Sequence, residues 1–228
     1  MEDHLMEEHF VKIISTQNVT HNVRRFTLTK PESYQFKPGQ ATDIVINLPA
    51  WKKERRPFTF TSLNDWDHLE FIIKIYSDHD GVTNQLGKLK AGDELILHDV
   101  FGAINYKGEG VFIAGGAGVT PFIAIFRQLQ KDGKLGNNKL IFSNRNSKDI
   151  ILKDEFEKML GDNFINTLTD EKTEKYDNRK IDANYLKEKI KNFSQYFYIC
   201  GPDAMIESIG KDLQQLGVDK VKIVIEQF

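Results

Sequence analysis

The chain has 228 residues, with 31 Lys and Arg against 33 Asp and Glu, and a formal net charge of −2. That length suits one large domain or two small ones, and the composition, 40% hydrophobic and 28% charged, excludes extended disorder and fibrous folds. A net charge near zero gives no overall positive field that would attract and bind nucleic acid. The single cysteine, Cys200, excludes an internal disulfide and a cysteine-ligated iron–sulfur cluster. We expect a globular protein without a nucleic-acid partner or a metal site.

The N-terminal residues MEDHLMEEH are acidic and lack the basic and apolar regions of a signal peptide. The longest uncharged stretch, 110–126, contains several glycines and Pro121 and is short for a membrane-spanning helix. Since a lone cysteine gives no sign of an oxidising compartment, we expect a soluble, cytoplasmic protein without a membrane span.

The first hundred residues are predicted to form short strands separated by turns, with little helix. β-Branched and aromatic residues cluster in each run, and Phe26 and Leu28 alternate with polar neighbours. Such a pattern favours an antiparallel sandwich or barrel. The predicted strands cover 10–17, 23–29, 41–48, 56–62, 69–76 and 94–98, and one short helix covers 83–90 with Thr83 as its N-cap.

From about residue 106, strands and helices alternate. This rhythm is typical of a parallel sheet covered by helices. We therefore predict two domains, a β-barrel over 1–105 and an α/β domain over 106–228. The predicted strands are 110–114, 139–143, 164–168, 196–200 and 221–225, the helices are 119–130, 152–160, 183–191 and 203–216 with Gly217 as C-cap, and the polar segment 169–180 is expected to be a mobile loop.

Two segments carry the strongest chemical signals. A glycine run, 115–118, follows a buried strand and precedes Thr120 and Pro121 at a helix start, where free N–H groups suit a phosphate. Its alternative explanation is a turn that allows close strand–helix packing. In 56–62, strand alternation places Arg56, Phe58 and Phe60 on one face, and a guanidinium beside an aromatic ring suits a nucleotide phosphate and its base. Taken alone, an ordinary strand with a surface arginine explains this segment better.

Three weaker signals follow the same order along the chain. Gly81 and Thr83 lie at a helix start, which plain capping also explains. The turn 200–205 comes at the carboxyl end of a predicted strand, where α/β sheets collect ligands. The chain ends in Glu226-Gln227-Phe228, which alone is best read as a strand end without a role.

Together these segments resemble the ferredoxin–NADP reductase superfamily of flavoproteins over nearly the whole chain. Arg56-Pro57-Phe58-Thr59 is similar to the family's flavin motif R-x-[YF]-[ST], and 81–83 to its second flavin segment, G-x-[ST]. The run 115–121 resembles G-G-x-G-x-T-P, 200–205 resembles C-G-P-x-x-M, and 226–228 resembles the ending E-x-aromatic. The resemblance implies a flavin-binding antiparallel β-barrel followed by an α/β nucleotide-binding domain.

The resemblance also implies roles for individual residues. Arg56 binds the flavin phosphate, Thr59 hydrogen-bonds the flavin N5, and Cys200 lies near the nicotinamide. Phe228 covers the flavin until the nicotinamide displaces it, and Glu226 manages protons. The predicted catalytic residues are Thr59, Cys200, Glu226 and Phe228, and the predicted cofactor-binding residues are Arg56, Pro57, Phe58, Thr59, Lys74, Tyr76, Gly81, Val82, Thr83, Gly116, Gly118, Thr120, Pro121, Ser143, Arg145, Gly201, Pro202 and Met205.

The implied function is hydride transfer from a nicotinamide dinucleotide to FAD, with FMN less favoured, and onward transfer to a separate flavodoxin- or ferredoxin-type carrier or an oxygenase component. NADPH is preferred to NADH because Ser143 and Arg145 suit a 2′-phosphate and no acidic residue precedes Asp149 in that loop, with Arg179 and Lys180 as a second clamp. The basic cluster Lys52, Lys53, Arg55 and Arg56 suits an acidic carrier, and a solvated lysine-rich loop explains it equally well. The alternatives are a free-flavin reductase and a non-catalytic flavin- or nucleotide-binding regulatory subunit.

Overall fold

The computed structural model describes residues 7–102 and 104–226, and the chain divides after Gly102 into two compact units. The first unit is built on one six-stranded antiparallel sheet, as predicted, with strand order β4-β3-β6-β1-β2-β5. Thr61 follows β4, and its N–H donates to the carbonyl oxygen of Glu70 in β5 (2.9 Å), so the two edge strands approach each other in a barrel-like arrangement. The elements are β1 His9–Thr20, β2 Val23–Thr29, β3 Gln40–Ile46, β4 Arg56–Thr59, β5 His68–Lys74, α1 Val82–Leu86 and β6 Glu94–Gly102.

The core of the first unit comes from the inward side chains of these strands. Phe60 is fully buried and stacks on Phe36, with ring centroids 4.0 Å apart, and the ring centroid of Phe71 lies 4.9 Å from that of Phe60. Large aromatic rings bury much apolar area, so this cluster supplies a major share of the unit's stability. It also fixes the chain just beyond β4, whose residues the sequence assigns to the flavin.

The second unit is a five-stranded parallel sheet with strand order β11-β10-β7-β8-β9, in agreement with the predicted α/β class. Helices cover both faces, so every residue of β7 is buried, as expected for a parallel sheet. All five carboxyl ends lie on one edge of the sheet. The elements are β7 Gly110–Gly115, α2 Thr120–Lys131, β8 Lys139–Asn144, α3 Lys153–Leu160, β9 Phe164–Leu168, α4 Ala183–Lys189, β10 Tyr196–Cys200, α5 Asp203–Gln215 and β11 Ile223–Ile225.

The structure corrects two predicted element starts. Helix α1 begins at Val82 with Gly81 as its N-cap, so the prediction that Thr83 caps this helix is wrong. The Thr83 hydroxyl instead accepts a hydrogen bond from the N–H of Tyr76 (3.3 Å). The last strand begins at Ile223, because the preceding residues Lys220–Lys222 form a 3₁₀ turn that the Asp219 side chain caps.

The polar segment 169–180 forms an irregular loop that hydrogen bonds attach to the sheet. Leu168 donates its N–H to the carbonyl oxygen of Asp177 (2.8 Å), and the Asn178 amide donates to the carbonyl oxygens of Leu168 and Glu171 (2.8 and 3.0 Å). The loop therefore has a defined path beside the end of β9. None of the helices in residues 7–102 and 104–226 is both long and apolar enough to cross a bilayer.

Candidate functional site

In the first unit, strand β4 carries three of the predicted flavin residues, and their burial increases from Arg56 through Phe58 to Thr59. Antiparallel pairing with β3 sets Thr59 opposite Ala41 and Arg56 opposite Ile44. Thr59 is buried, Phe58 is half-buried against the core, and Arg56 is exposed with its Nη2 3.1 Å from Glu54 Oε2. An exposed guanidinium whose carboxylate partner is also exposed can exchange that partner for a phosphate, since water weakens the existing ion pair.

The strand itself is shorter than predicted. Since β4 ends at Thr59, alternation does not continue through 60–62, and Phe60, Thr61 and Ser62 are all buried. The predicted strand 56–62 is therefore too long, and Phe60 lies fully inside the barrel core against which Phe58 also packs.

A buried polar network behind β4 was missed by the sequence analysis. Glu70 is 5% exposed, accepts from the Thr61 hydroxyl (2.8 Å), and lies 3.2 Å from the Arg25 Nε. Its own N–H donates to the Ser62 hydroxyl (3.0 Å). This network holds the residues that follow Thr59. A glutamate inside an apolar strand, facing an arginine on the neighbouring strand, is the signal that could have found it.

The other predicted flavin residues of this unit lie together at the end of β5 and the start of α1. Lys74 Nζ lies 5.3 Å from the ring centroid of Tyr76, and the Tyr76 N–H bonds to Thr83. No side chain caps α1 at Gly81. A cation and backbone N–H groups without a side-chain cap suit the phosphates of a flavin nucleotide, and an exposed aromatic ring suits stacking, so the residues present fit FAD.

In the second unit, two predicted motifs pack directly against each other. A Cβ on Gly118 would lie 2.4 Å from the carbonyl oxygen of Cys200, and one on Gly115 would lie 2.6 Å from Met205 Sδ and 3.0 Å from Pro202 Cδ. Only glycine allows this approach, so Gly118 serves the packing of the turn after β7 against the turn after β10. The alternative explanation of the glycine run, close packing, is therefore confirmed for Gly118.

Gly116 differs from its neighbours. Its φ is +52°, which favours glycine, and a Cβ there would meet nothing within 4 Å. The backbone is thus bare on this side of the turn, and a nucleotide could approach it closely. Thr120 donates its hydroxyl to the carbonyl oxygen of Ala117 (3.0 Å), which holds the turn, and Pro121 lies in the first turn of α2 as predicted. The turn fits a dinucleotide phosphate.

Cys200 and Glu226 come together because their strands are parallel neighbours. The register pairs Ile199 with Ile225, so the next residue on each strand is at the same level of the sheet edge. Cys200 Sγ donates to Glu226 Oε2 at 3.1 Å. Burial is the largest cause that raises the pKa of the Cys200 thiol and the pKa of the Glu226 carboxyl above their ordinary values. The thiol therefore keeps its proton and acts as a neutral donor. Phe228, the fourth predicted catalytic residue, lies outside the described residues.

The loop after β8 carries the residues predicted to read the nucleotide's ribose. Ser143 pairs with Gly115 in the parallel register, and Arg145 is exposed. Ser147 donates both its N–H and its hydroxyl to the carboxylate of Glu171, the hydroxyl at 3.1 Å. The loop after β8 contains no acidic residue before Asp149. In the folded chain, however, Glu171 from the loop after β9 places a carboxylate against it. Because parallel strands bring the loops after β8 and β9 to one edge, that acid could have been found from the predicted topology.

Arg179, predicted as part of a second clamp, is engaged elsewhere. It pairs with Glu188 of α4, and its guanidinium carbon lies 4.6 Å from the ring centroid of Tyr185. Lys180 is exposed, and its role stays a prediction.

A surface cavity of about 460 Å³ lies at the opposite edge of the sheet and contains none of the predicted site residues. Within the part of the chain that the structure describes, no three His, Cys, Asp or Glu side chains are grouped so as to hold a metal ion. The cavity is lined by Glu109, Asn137, Lys139, Lys189, Ile190, Lys191, Asn192 and Gln195.

Comparison with known proteins identifies both units. Residues 10–106 match the oxidoreductase FAD-binding domain, and residues 112–211 match the oxidoreductase NAD-binding domain. The chain thus has an FAD-binding and a nicotinamide-dinucleotide-binding domain, in the predicted order.

Two curated relatives and one solved structure are similar to nearly the whole chain. A probable electron transfer subunit of dihydroorotate dehydrogenase B (NAD(+)) from Pyrococcus furiosus is 30% identical, over 96% of this chain and 78% of the relative. The reductase component of propane 2-monooxygenase from Rhodococcus jostii is 26% identical over 90% of this chain, which spans 58% of that relative's length. A ferredoxin NADP+ reductase from Neisseria gonorrhoeae, solved with FAD and NADP, shares the fold with a TM-score of 0.82, 21% identity and coverage of 95% and 97% of the two chains.

Proposed function

Since the chain belongs to the ferredoxin–NADP reductase superfamily of FAD- and NAD(P)-binding oxidoreductases, we propose that it oxidises a reduced nicotinamide dinucleotide and passes the electrons through FAD to a separate acceptor protein. One observation carries the catalytic part of this proposal. The bare glycine turn at Gly116, the Cys200 turn packed on Gly118, and the Glu226 carboxyl all lie at the carboxyl edge of one parallel sheet. A module that only bound nucleotide would not need a buried thiol–carboxyl pair there.

Residues 1–105 are proposed as the FAD domain, with roles set by their burial. Bound FAD supplies the chemistry of accepting two electrons as a hydride and releasing them one at a time. Arg56 is exposed, and its guanidinium donates to the Glu54 carboxylate and to the carbonyl oxygen of Arg55. It binds the phosphates. Thr59, buried at the end of β4, places a hydroxyl away from bulk water where it donates to the ring. Phe58 offers a half-buried aromatic face for stacking.

Residues 106–228 are proposed as the nicotinamide-dinucleotide domain. Gly116 leaves backbone exposed for the pyrophosphate, and it begins the 3₁₀ turn Gly116–Val119 that leads directly into α2, so the positive dipole end of this continuous segment faces the turn. Cys200 keeps its proton because of burial and donates it to Glu226, so its uncharged thiol borders the nicotinamide site without attacking the ring. Glu226, whose pKa burial raises, holds a proton closer to neutral pH than an exposed glutamate does.

The sequence and the folded chain favour different nicotinamide dinucleotides. The sequence predicts NADPH on Ser143 and Arg145, and the exposed guanidinium of Arg145 supports that prediction. The Glu171 carboxylate on Ser147 opposes it. The relatives divide as well, since one is named for NAD(+) and the Neisseria structure holds NADP.

The acceptor is proposed to be an acidic one-electron carrier of the flavodoxin or ferredoxin type, or an oxygenase component. Lys52, Lys53, Arg55 and Arg56 are all exposed in the segment that leads into β4, beside the proposed FAD residues. The names of two relatives, a reductase component and an electron transfer subunit, describe proteins that serve a partner. A basic patch attracts an acidic partner over long range.

The test is turnover with candidate carriers by FAD-loaded protein after desalting. With NADH or NADPH as donor, the proposal expects carrier reduction without added free flavin, and a rate that falls steeply between low and high salt. The Lys52→Ala, Lys53→Ala double variant should lose the salt dependence, whereas Lys211→Ala, an exposed position of the second unit, should keep it. Turnover only when free flavin is added would instead identify a free-flavin reductase. A flat salt profile with every carrier would contradict the acidic partner.

A further inference from the structure

The loops that follow β8 and β9 run side by side as one structure. Thr169 donates its N–H to the carbonyl oxygen of Asn144 (2.9 Å), and Asp170 donates to that of Arg145 (3.0 Å). These backbone bonds extend the parallel pairing of β8 with β9 beyond the ends of both strands. Residues 24 or 25 positions apart in sequence thus form a single surface at the carboxyl edge of the sheet, where α/β sheets bind nucleotides.

On this surface, the Glu171 carboxylate accepts hydrogen bonds from both the N–H and the hydroxyl of Ser147. Both Glu171 oxygens are used, one by the Ser147 N–H and the other by the Ser147 hydroxyl at 3.1 Å. An N–H and an O–H that converge on two oxygens of an anion are the donors that a phosphate would take. In the folded chain those donors are already satisfied by Glu171, so a phosphate must displace the carboxylate and its charge.

Charge then decides the choice between the two nicotinamide dinucleotides. They differ by the 2′-phosphate, which carries up to two negative charges in NADPH and is absent from NADH. Two negative groups that compete for the same donors repel each other strongly at contact distance. Arg145 offers attraction, but its side chain is exposed and water screens it, whereas Glu171 is half-buried and held by two hydrogen bonds. The repulsion of the 2′-phosphate by Glu171 therefore outweighs its attraction to Arg145.

We infer that Glu171 is the specificity-determining residue for the nicotinamide dinucleotide and that it favours NADH over NADPH. This inference rests on the proposed function, because it concerns the donor of that reaction. The sequence of the loop after β8 alone predicts a preference for NADPH. The contact between Glu171 and Ser147, which only the folded chain shows, reverses that preference.

The test measures binding of two fragments to the full, FAD-loaded chain by calorimetry at low salt. The probes are 5′-AMP and adenosine 2′,5′-bisphosphate, which differ only in the 2′-phosphate. Wild-type protein should bind 5′-AMP more tightly. Glu171→Gln should improve the affinity for the bisphosphate relative to 5′-AMP by about tenfold to a hundredfold, because the isosteric amide removes the charge. Adding Ser147→Ala to that variant should take back part of the gain, because a donor is lost.

Two matched variants decide whether the charge acts at this place. Glu174→Gln removes a charge from an exposed position of the same loop and should leave the affinity ratio unchanged. Asp170→Asn removes the neighbouring charge and should have a smaller effect than Glu171→Gln. An unchanged ratio in Glu171→Gln, an equal shift in Glu174→Gln, or a larger shift in Asp170→Asn would each overturn the inference.

The same variants separate this inference from the proposed function. Rates of FAD reduction by NADH and NADPH should follow the fragment affinities, so Glu171→Gln should narrow the NADH preference. If neither dinucleotide reduces FAD in any variant, the proposed function fails, while the fragment affinities still decide the role of Glu171. A wild-type preference for the bisphosphate would overturn the inference even if FAD reduction proceeds as proposed.

Discussion

Gly118 offers the most direct perturbation of the candidate nucleotide site. Replacing it with alanine adds one methyl group between the turn after β7 and the turn after β10. That methyl carbon would lie 2.4 Å from the Cys200 carbonyl oxygen, 2.5 Å from its carbon and 2.6 Å from the Gly201 Cα. All three are backbone atoms, so no side-chain rotation relieves the clash.

The size of the effect follows from these distances. Ordinary contact begins near 3.4 Å, so the two turns must separate by about 1 Å. Overpacking of this kind costs about 1–3 kcal/mol, which lowers the midpoint of thermal unfolding by roughly 4–12 °C in a unit of this size. A shift of about 1 Å in a positioning turn also slows the chemistry by roughly a hundredfold.

Two spectroscopic signals follow the units separately. Both tryptophans, Trp51 and Trp66, belong to the first unit, whereas four of the five α-helices in residues 7–102 and 104–226 belong to the second. Gly118→Ala should therefore shift the far-ultraviolet circular dichroism transition more than the tryptophan fluorescence transition. Gly210→Ala is the control, since a Cβ at this position of α5 meets nothing within 4 Å and alanine favours the helix by roughly 0.5–1 kcal/mol. Equal stability and equal FAD reduction rates in Gly118→Ala and wild type would refute the packing argument.

Three further variants test the remaining site residues. Arg56→Ala should lower FAD affinity by roughly tenfold to a hundredfold, measured by fluorescence titration, while Lys53→Ala should not. Thr59→Val should keep FAD but slow its single-turnover reduction by roughly tenfold, and an unchanged rate would count against a role for the hydroxyl. Because burial holds the pKa of Glu226 above its ordinary value of 4.5, its contribution to stability is full below that pH and is lost as pH rises through the folded pKa. Wild-type protein should lose stability over that rise relative to Glu226→Gln, and parallel profiles would contradict the burial argument.

Local sequence signals were sufficient for much of the fold. The strands Val23–Thr29, Phe164–Leu168 and Tyr196–Cys200 have the predicted bounds, because each is a run of β-branched and aromatic residues between polar or turn segments. Gly217, predicted as a C-cap, follows the end of α5 with a φ of +87°. The antiparallel sheet of the first unit and the parallel sheet of the second were also predicted correctly. Turns and loops join most strands of the first, whereas helices separate most strands of the second.

What the sequence missed depends on contacts between distant residues. The start of α1 could not be placed from 81–83 alone, because the Thr83 side chain is used by Tyr76. β4 ends at Thr59, and the chain beyond it turns its hydrogen bonding to β5, since the Thr61 N–H donates to the carbonyl oxygen of Glu70. Glu171 is the clearest case, since its importance comes from a hydrogen bond to a residue 24 positions away. Propensity and spacing describe neighbours along the chain, whereas these features describe neighbours in space.

The central claim is that a nicotinamide dinucleotide reduces FAD on this chain. The most direct measurement is an anaerobic visible absorption spectrum of the FAD-reconstituted protein during titration with NADH and, separately, NADPH. The account predicts bleaching of the FAD bands by about one equivalent of NADH, with NADPH acting more slowly or at higher concentration. Bound FAD that stays oxidised with both donors would contradict the claim and would leave a binding module without this reaction.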